Sequence, residues 1–311
     1  MDRDGVSFLA SRVVNVASVP QRSPFRYPGG KTWLVPYVRL WLSSITPPVR
    51  ELIEPFAGGS IVGLTAAFEN LARKVVLIEL DSDVASVWKT ILEGDVEWLA
   101  SRVASFDLTV DSARALLASR PRSLKERAFI TIVRNRVQRG GILASGAGIM
   151  KQGENGKGIT SRWYPVTLRK RMLDIAGIRD RIRFIEGDGL SYIERKLGRK
   201  NVALFIDPPY TVAGRRLYTH SDIDHERLFR FAKRLEGEFL MTYDDSPEIR
   251  RLIVSYRLDC ETVLMKNTHN TKMLELLIGR DLAWLRHPDT SQAISRELFA
   301  QTNSDLLDFP L

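Results

Sequence analysis

The chain has 311 residues, of which 44% are hydrophobic and 27% are charged. These ordinary globular values exclude a wholly disordered chain, and the length indicates about two domains or one large domain with an insertion. Lysine and arginine number 46 against 37 aspartate and glutamate residues, which gives a net charge of +9. Such an excess is typical of proteins that bind a polyanion such as nucleic acid, and it also fits plain solubility.

Cysteine and histidine usage excludes several kinds of site. Cys260 is the only cysteine, so the chain forms no intrachain disulfide and no cysteine-based zinc site. No metal-binding spacing is found among the histidines His220, His225, His269 and His287. No apolar run reaches the roughly 18 residues of a membrane span, and the first residues lack the apolar region of a signal peptide. We therefore predict a soluble protein of a reducing compartment, with no metal and no membrane partner.

Short apolar runs alternate with helical patterns along much of the chain. The helical patterns cover 61–71, 84–92, 224–235 and 247–256. The apolar runs, which we interpret as strands, are 51–56, 75–78, 182–185, 203–206, 239–243, 263–265 and 274–278. Strands alternating with helices indicate an α/β protein with a parallel, doubly wound sheet.

The positive charge is concentrated between the second and third predicted strands. Residues 101–185 contain 18 basic and 6 acidic residues, a net of +12, whereas the rest of the chain has a net of −3. Seven of the 21 glycines lie between Gly140 and Gly158, which is typical of a mobile loop or loose hairpin. We therefore predict a discontinuous α/β domain over 20–100 and 183–290, with an inserted nucleic-acid-binding domain over 101–182.

A glycine turn ends the first predicted strand at residues 54–60, where the sequence is Glu-Pro-Phe-Ala-Gly-Gly-Ser. Glycines at a strand-to-helix turn let a ligand approach the backbone, so a nucleotide-like ligand fits here. Ser60 breaks the G-x-G-x-x-G pattern, which argues against NAD or FAD. Glu79 ends the second strand 20 residues after Gly59. An acid at this distance commonly accepts hydrogen bonds from ribose hydroxyls.

The fourth predicted strand is followed by Asp207-Pro208-Pro209-Tyr210. In an open α/β sheet, ligands bind outside the carboxyl ends of the strands. The two prolines fix the backbone and remove two N–H donors, which leaves a rigid rim of acceptors formed by the Asp207 carboxylate and the Pro208 carbonyl. Such a rim suits an exocyclic amino group, and Tyr210 adds a flat face for stacking.

The segment Gly30-Lys31-Thr32 resembles the end of a phosphate-binding P-loop. That pattern requires a glycine five positions before Gly30, where Phe25 stands, and a buried strand directly before the loop. We therefore reject an NTPase.

These motifs, in this order, resemble the DNA adenine methyltransferase family, the Dam-like class with an inserted target-recognition domain. The likeness covers roughly 23–100 and 183–280 and is specific at 25–31, 54–60 and 207–210. It implies a Rossmann-like methyltransferase sheet with an inserted, mostly helical DNA-recognition domain. It also implies S-adenosylmethionine as cofactor, duplex DNA as partner and a cytoplasmic location with the DNA. Two questions stay open: whether a cognate restriction endonuclease acts independently beside this protein, and whether the protein belongs to a restriction-modification system.

The resemblance also assigns roles to individual residues. It places Tyr27 and Lys31 at the methionine part of the cofactor, Glu79 at the ribose and Asp188 at the adenine. The cofactor turn comprises Pro55, Phe56, Ala57, Gly58, Gly59 and Ser60, and the catalytic motif comprises Asp207, Pro208, Pro209 and Tyr210. The family turn often has glycine where this chain has Ser60, which affects the detail of cofactor contact.

The catalytic motif and the basic segment together suggest how such an enzyme would work. Asp207 and the Pro208 carbonyl would accept both hydrogens of the adenine amino group, which localises the nitrogen lone pair for in-line methyl transfer. The base must first be flipped out of the duplex, and Tyr210 would stack on it. Candidate DNA contacts in the basic segment are Arg134, Arg136, Arg139, Lys151, Lys157, Arg162, Arg169, Lys170 and Arg171.

Two other functions stay open. An RNA adenine or DNA cytosine amino-methyltransferase can use an acid-Pro-Pro-aromatic motif, although Asp rather than Ser at position 207 favours adenine. A non-catalytic DNA-binding protein that retains the fold need not keep Lys31, Glu79, Asp207 and Tyr210.

Overall fold

The computed structural model describes residues 19–26, 30–143, 147–151, 153, 156–210, 223–266 and 272–286. Its strands are β1 Glu51–Glu54, β2 Lys74–Glu79, β3 Ile182–Glu186, β4 Val202–Ile206, β5 Glu238–Asp244, β6 Asp259–Lys266 and β7 Lys272–Gly279. Its helices are α1 Val35–Ser44, α2 Ile61–Phe68, α3 Ser82–Leu92, α4 Val96–Ala104, α5 Val110–Ala118, α6 Leu124–Val137, α7 Pro165–Gly177, α8 Gly189–Glu194, α9 His225–Arg234, α10 Pro247–Tyr256 and α11 Ala283–Arg286. The seven predicted strands and four predicted helices are confirmed, and so is the Rossmann-like α/β class.

The strands form one seven-stranded sheet in the order β3-β2-β1-β4-β5-β7-β6. The first five strands in this order are parallel, whereas β7 runs antiparallel to both β5 and β6. The prediction of a parallel sheet is therefore wrong at this edge. Only residues 267–271 join β6 to β7, and a parallel crossover needs a dozen or more residues, so the two strands must form a hairpin.

Side chains alternate between two hydrophobic layers, one on each face of the sheet. Leu52 and Leu77 lie in the layer covered by α1–α7 and α11. Their neighbours Ile53 and Ile78 lie in the layer covered by α8, α9 and α10. Successive side chains of a strand point to opposite faces of the sheet. Because both faces are covered by hydrophobic layers, the central positions of the strands are mostly apolar, and the sequence shows a continuous apolar run.

Several helices begin at a side-chain cap directly after a strand or loop. Asp81 accepts hydrogen bonds from the backbone N–H groups of Asp83 and Val84, so α3 begins immediately after β2. Ser123 caps α6 in the same way, and Ser246 caps α10. Each cap satisfies amide donors that the first helical turn leaves without partners.

The basic segment is mostly helical and shares its core with the sheet. Phe129 and Val133 of α6, together with Leu168 and Met172 of α7, belong to the same hydrophobic cluster as Trp88 of α3. Helix α6 packs on α3, and α7 packs on α4. The predicted domain boundary at residue 101 falls inside α4. Helix α4 and the basic segment therefore belong to the same packed layer of helices on one face of the sheet.

Candidate active site

The site lies where the parallel strands end at one edge of the sheet. The glycine turn follows β1, Glu79 ends β2, Asp188 follows β3 and Asp207 follows β4. The strand order reverses between β1 and β4, because the chain moves outward from β1 to β3 and then returns to β4 on the other side. Crevices at such a reversal are the usual ligand sites of open α/β sheets.

The turn after β1 is held in place by the carboxylate of Glu79. The backbone N–H of Gly58 donates to Glu79 Oε2 at 2.8 Å, and the N–H of Asp81 donates to Oε1 at 2.9 Å. Gly58 has a φ of +46°, a conformation that favours glycine. Burial is the largest influence on Glu79, and it raises the pKa to about 7 despite these hydrogen bonds. Each oxygen keeps a lone pair for a further donor, so the predicted contact with a ribose hydroxyl stays a prediction.

Ser60 occupies a left-handed backbone position at the start of α2, with a φ of +50°. Its hydroxyl donates to Glu54 Oε2 at 2.5 Å, and the backbone N–H of Gly63 donates to the same oxygen at 3.0 Å. The side chain of Ser60 therefore points into the protein, where it contacts a buried acid that the sequence-based site did not include. Burial, with smaller contributions from Asp207 and Glu79, raises the pKa of Glu54 to about 8.

A buried ion-pair network surrounds the side chain of Asp207. Lys31 Nζ lies 3.0 Å from Asp207 Oδ1 and 3.2 Å from Glu275 Oε1. Only 3% of Lys31 and 1% of Glu275 are exposed. The hydroxyl of Thr242 donates to Asp207 Oδ1 at 2.7 Å. The predicted residues Lys31 and Asp207 are thus brought together, whereas Glu275 and Thr242 were not predicted.

Tyr210 belongs to the same network. Its hydroxyl donates to Glu275 Oε1 and lies 3.4 Å from Asp207 Oδ1. Its ring stacks on that of Tyr243 at 6.0 Å between centroids, and Lys31 Nζ lies 5.1 Å from its centroid. The ring is half-buried. Its orientation is therefore fixed by the protein, and the predicted stacking on a base stays a prediction.

Two proposed cofactor residues have other environments. Asp188 caps α8, where it accepts hydrogen bonds from the backbone of Leu190 and from the backbone and hydroxyl of Ser191. Burial favours the neutral acid, but the hydrogen bonds from Ser191 and Leu190 and the charge of Arg227 together outweigh it and lower the pKa of Asp188. Its contact with the cofactor adenine stays a prediction. Tyr27 lies outside the described residues.

The remaining residues of the two proline- and glycine-containing motifs line the same edge. Pro208 is buried and Pro209 is half-buried directly after β4. The turn residues Pro55, Phe56, Ala57 and Gly59 lie between β1 and α2. The backbone of Pro55 also touches the start of α8: a Cβ added to Gly189 would lie 2.2 Å from the Pro55 carbonyl oxygen. The turns after β1 and β3 are therefore packed against each other.

The candidate DNA contacts divide into exposed and buried side chains. Arg139, Lys151 and Arg169 are exposed. Arg139 and Lys151 line one cavity of about 410 Å³. Arg134 is ion-paired with Asp83 at 2.7 Å. Arg136 is only 3% exposed and donates to the Pro24 carbonyl, so it is not part of the outer surface. The sequence-based expectation for Arg136 is corrected accordingly.

Two kinds of feature are missing from the described part of the chain. It contains no group of three or more His, Cys, Asp or Glu side chains that could hold a metal ion. Within those same residues, no helix has the length and apolar character needed to cross a membrane.

The fold is a Rossmann-like α/β sheet, and the site lies at the point where its strand order reverses. No protein-family model matches the chain, and no curated protein sequence matches it. Among solved structures, one assigned as an RNA methyltransferase from Pyrococcus horikoshii is 10% identical over 82% of this chain and 84% of that chain, with a TM-score of 0.37. The rRNA methyltransferase aviRa from Streptomyces viridochromogenes is 12% identical over 88% and 96%, with a TM-score of 0.37. An uncharacterised protein from Listeria monocytogenes is 10% identical over 79% and 67%, with a TM-score of 0.35. These likenesses are too low to indicate a substrate.

Proposed function

We propose that this chain transfers a methyl group from S-adenosylmethionine to the exocyclic amino group of adenine in duplex DNA. The orientation of the Asp207 carboxylate carries the proposal. Its Oδ1 is contacted by Lys31, Thr242 and Tyr210. No described residue donates a hydrogen bond to Oδ2, and 23% of the side chain is exposed. The carboxylate is therefore held by one oxygen and presents the other as an acceptor.

The residues around the turn after β1 fit the cofactor. Gly58 brings the backbone to the edge of the sheet without a side chain, and the half-buried carboxylate of Glu79 keeps lone pairs for hydroxyl groups. Lys31 and Asp207 lie beside this turn, because β1 and β4 are adjacent. When bound, the cofactor supplies an activated methyl group on a sulfonium sulfur.

The chain's own residues would prepare the nucleophile. The amino nitrogen of adenine is a poor nucleophile because its lone pair is delocalised into the ring. Asp207 Oδ2 and the Pro208 carbonyl can accept the two amino hydrogens, which localises the lone pair and stabilises the positive charge that develops on nitrogen. Lys31 and Glu275 hold Asp207 and Tyr210 in position, so little reorganisation is needed during the reaction.

Duplex DNA fits the distribution of charge. The exposed side chains of Arg139, Lys151 and Arg169 belong to the segment that carries the net charge of +12. Contacts between basic residues and phosphates supply most non-specific affinity for DNA. A target base inside the duplex is inaccessible to Asp207, so base flipping is part of the proposal.

The proposal is tested by incubating the protein with tritiated S-adenosylmethionine and separate duplex DNA and RNA substrates. We expect label on adenine in DNA. Asp207→Asn should lower the rate at least about 100-fold, because one acceptor is lost, while DNA binding is retained. The matched control is Asp245→Asn, since Asp245 follows β5 and pairs with Arg250 at 2.6 Å away from the network.

Any result of the labelling experiment other than the expected one would contradict a specific part of the proposal. Transfer to RNA alone would replace the substrate, and label on cytosine would replace the target base. Full activity of Asp207→Asn would mean that Asp207 is not the acceptor. No transfer to any nucleic acid would leave a binding protein that retains the fold.

A further inference from the structure

Another cavity lies at the amino ends of the first three strands, at the edge of the sheet opposite the candidate active site. It has a volume of about 500 Å³ and is lined by residues 48–50 before β1, residues 70–73 before β2 and Arg181 before β3. Strand β2 runs from this edge to Glu79, and at about 3.3 Å per residue its ends lie about 16 Å apart. A small ligand in this cavity would therefore not overlap the candidate active site.

The loops before β1 and β2 are joined by backbone hydrogen bonds beside the cavity. The N–H of Arg73 donates to the Val49 carbonyl at 3.3 Å, and the N–H of Lys74 donates to the Arg50 carbonyl at 3.0 Å. These bonds lie at the start of the parallel ladder between the two strands. Arg50 and Arg73 therefore belong to two segments whose spacing is fixed by the sheet.

The guanidinium group of Arg181 is oriented by the protein on one side only. Its Nη1 donates to the side-chain oxygen of Asn70 and, at 3.3 Å, to the Ala67 carbonyl. Its Nε and Nη2 donate to no residue of the described ranges, and the side chain is exposed. These donors are available to a ligand, and a group that is already oriented loses less conformational freedom on binding.

The charges that line the cavity are all positive. Arg50, Arg73 and Arg181 are exposed and line what we call the arginine cavity. Its lining includes no acidic residue from the described part of the chain. No described carboxylate forms an ion pair with any of the three arginines, and this includes Asp180, which directly precedes Arg181. Clefts lined by charges of one sign attract and concentrate counter-ions, so the arginine cavity should attract an anion.

Apolar side chains supply much of the remaining lining. Val49 and Ala72 are buried, and Leu71 is half-buried. Burial of apolar surface is favourable, so this part of the cavity suits an organic group and not a second charge. Guanidinium groups match phosphate oxygens in geometry, and a phosphate monoester carries between one and two negative charges at neutral pH.

We propose that the arginine cavity binds a small phosphate monoester whose organic part packs on the apolar lining. The volume of the cavity lies within the range of about 300–1,000 Å³ that is usual for small-molecule sites. A phosphodiester of nucleic acid carries a single charge, so a monoester is the better match for three guanidinium groups. The inference goes beyond methyl transfer and does not depend on it.

The test measures the binding of phenyl phosphate, inorganic phosphate and phenol to the full chain by isothermal titration calorimetry. Phenyl phosphate contains no nucleoside, so it does not resemble the cofactor proposed for the other edge of the sheet. We expect phenyl phosphate to bind more tightly than inorganic phosphate, and phenol to give no measurable binding. Equal affinity for the two phosphates, or tighter binding of phenol, would overturn the proposal.

A double variant places the ligand in the cavity. Arg50→Gln/Arg73→Gln removes two guanidinium groups that make no hydrogen bond with described residues, so the melting temperature without ligand should be retained. We expect it to bind phenyl phosphate at least about tenfold more weakly than the wild type. The matched control, Arg230→Gln/Arg251→Gln, removes two charges from exposed positions on α9 and α10 and should bind as the wild type does. Equal weakening in both double variants would show attraction by net charge alone and would overturn the site.

Failure of the inference is distinguishable from failure of the proposed function. If the wild type methylates DNA but does not bind phenyl phosphate, the inference fails and the enzyme assignment is unaffected. If phenyl phosphate binds as expected and no methyl group is transferred, only the proposed function fails. Weaker DNA binding by Arg50→Gln/Arg73→Gln, without any binding of phenyl phosphate, would assign these arginines to a nucleic-acid backbone and overturn the inference.

Discussion

Glu54 is a buried acid whose protonation should make folding stability depend on pH. The side chain is 3% exposed, and its Oε2 accepts hydrogen bonds from Ser60 and Gly63. Burial raises its pKa from 4.5 to about 8. The perturbation is Glu54→Gln, which keeps the shape and an acceptor oxygen but cannot ionise.

The size of the effect follows from proton linkage. Because the folded pKa of Glu54 is raised, the folded state keeps a proton that the unfolded chain releases above pH 4.5. The corresponding stability is fully present below about pH 4.5 and is lost as the pH rises through 8. One pKa unit corresponds to about 1.4 kcal/mol, so the whole window amounts to about 5 kcal/mol. Between pH 5 and pH 8 the wild type should therefore lose about 3–4 kcal/mol relative to Glu54→Gln.

The assay is urea unfolding of both proteins at half-unit steps from pH 5 to pH 8.5, followed by tryptophan fluorescence. Glu79, whose pKa is raised to about 7, contributes with the same sign in both proteins and cancels to first order in the difference. The free-energy difference between the two proteins should change by about 1.4 kcal/mol per pH unit across the middle of the window. If the free energies of unfolding of the wild type and Glu54→Gln change in parallel with pH, the raised pKa of Glu54 is refuted.

Two further substitutions test how the site is held together. Gly189→Ala should destabilise the fold by about 1–3 kcal/mol, since its Cβ would lie 2.2 Å from the Pro55 carbonyl oxygen, whereas Gly187→Ala, with its nearest neighbour at 4.0 Å, should be tolerated. Equal melting temperatures for the two variants would contradict this packing. Lys31→Met should lower the free energy of unfolding by about 3–5 kcal/mol, because it leaves Glu275 buried without its cation. Adding Glu275→Gln should restore part of this free energy, as measured by chemical denaturation. A double variant no more stable than the single one would show that the ion pair is not the cause.

The parts of the fold that depend on local patterning could be predicted from the sequence. Apolar runs marked all seven strands, because strands buried on both faces leave a continuous hydrophobic signal. The end of β4 could be related to the site, because ligands bind at the carboxyl ends of parallel strands. The family resemblance placed Lys31 at the cofactor and Asp207 in the catalytic motif, but the ion pair between them was not predicted.

Glu275 shows why part of the site could not be predicted. It is the only charged residue in the apolar run 274–278, and a lone charge in a buried strand is a usable signal. Its partners depend on β7 being inserted between β5 and β6. Strand order at this edge is set by packing over long sequence distances, which a one-dimensional pattern does not contain.

Arg136 shows that the sequence alone does not reveal which basic side chains are exposed. The count of basic residues identified the segment, but it does not say which side of a helix faces solvent. In α6, Asn135 is fully buried and Arg136 is 3% exposed, because both contact residues 23–26. A segment more than 100 positions away in the sequence thus determines which charges of α6 reach the surface.

The core that α6 and α7 share with α3 restricts how this protein can be modified. A target-reading module with its own core could be exchanged as a cassette between related enzymes. Here, removing residues 101–182 would expose Trp88 and the rest of the apolar layer on that face. If residues 101–182 bind DNA as proposed, a change of specificity would therefore require replacing solvent-facing side chains on a helical scaffold that itself stays in place.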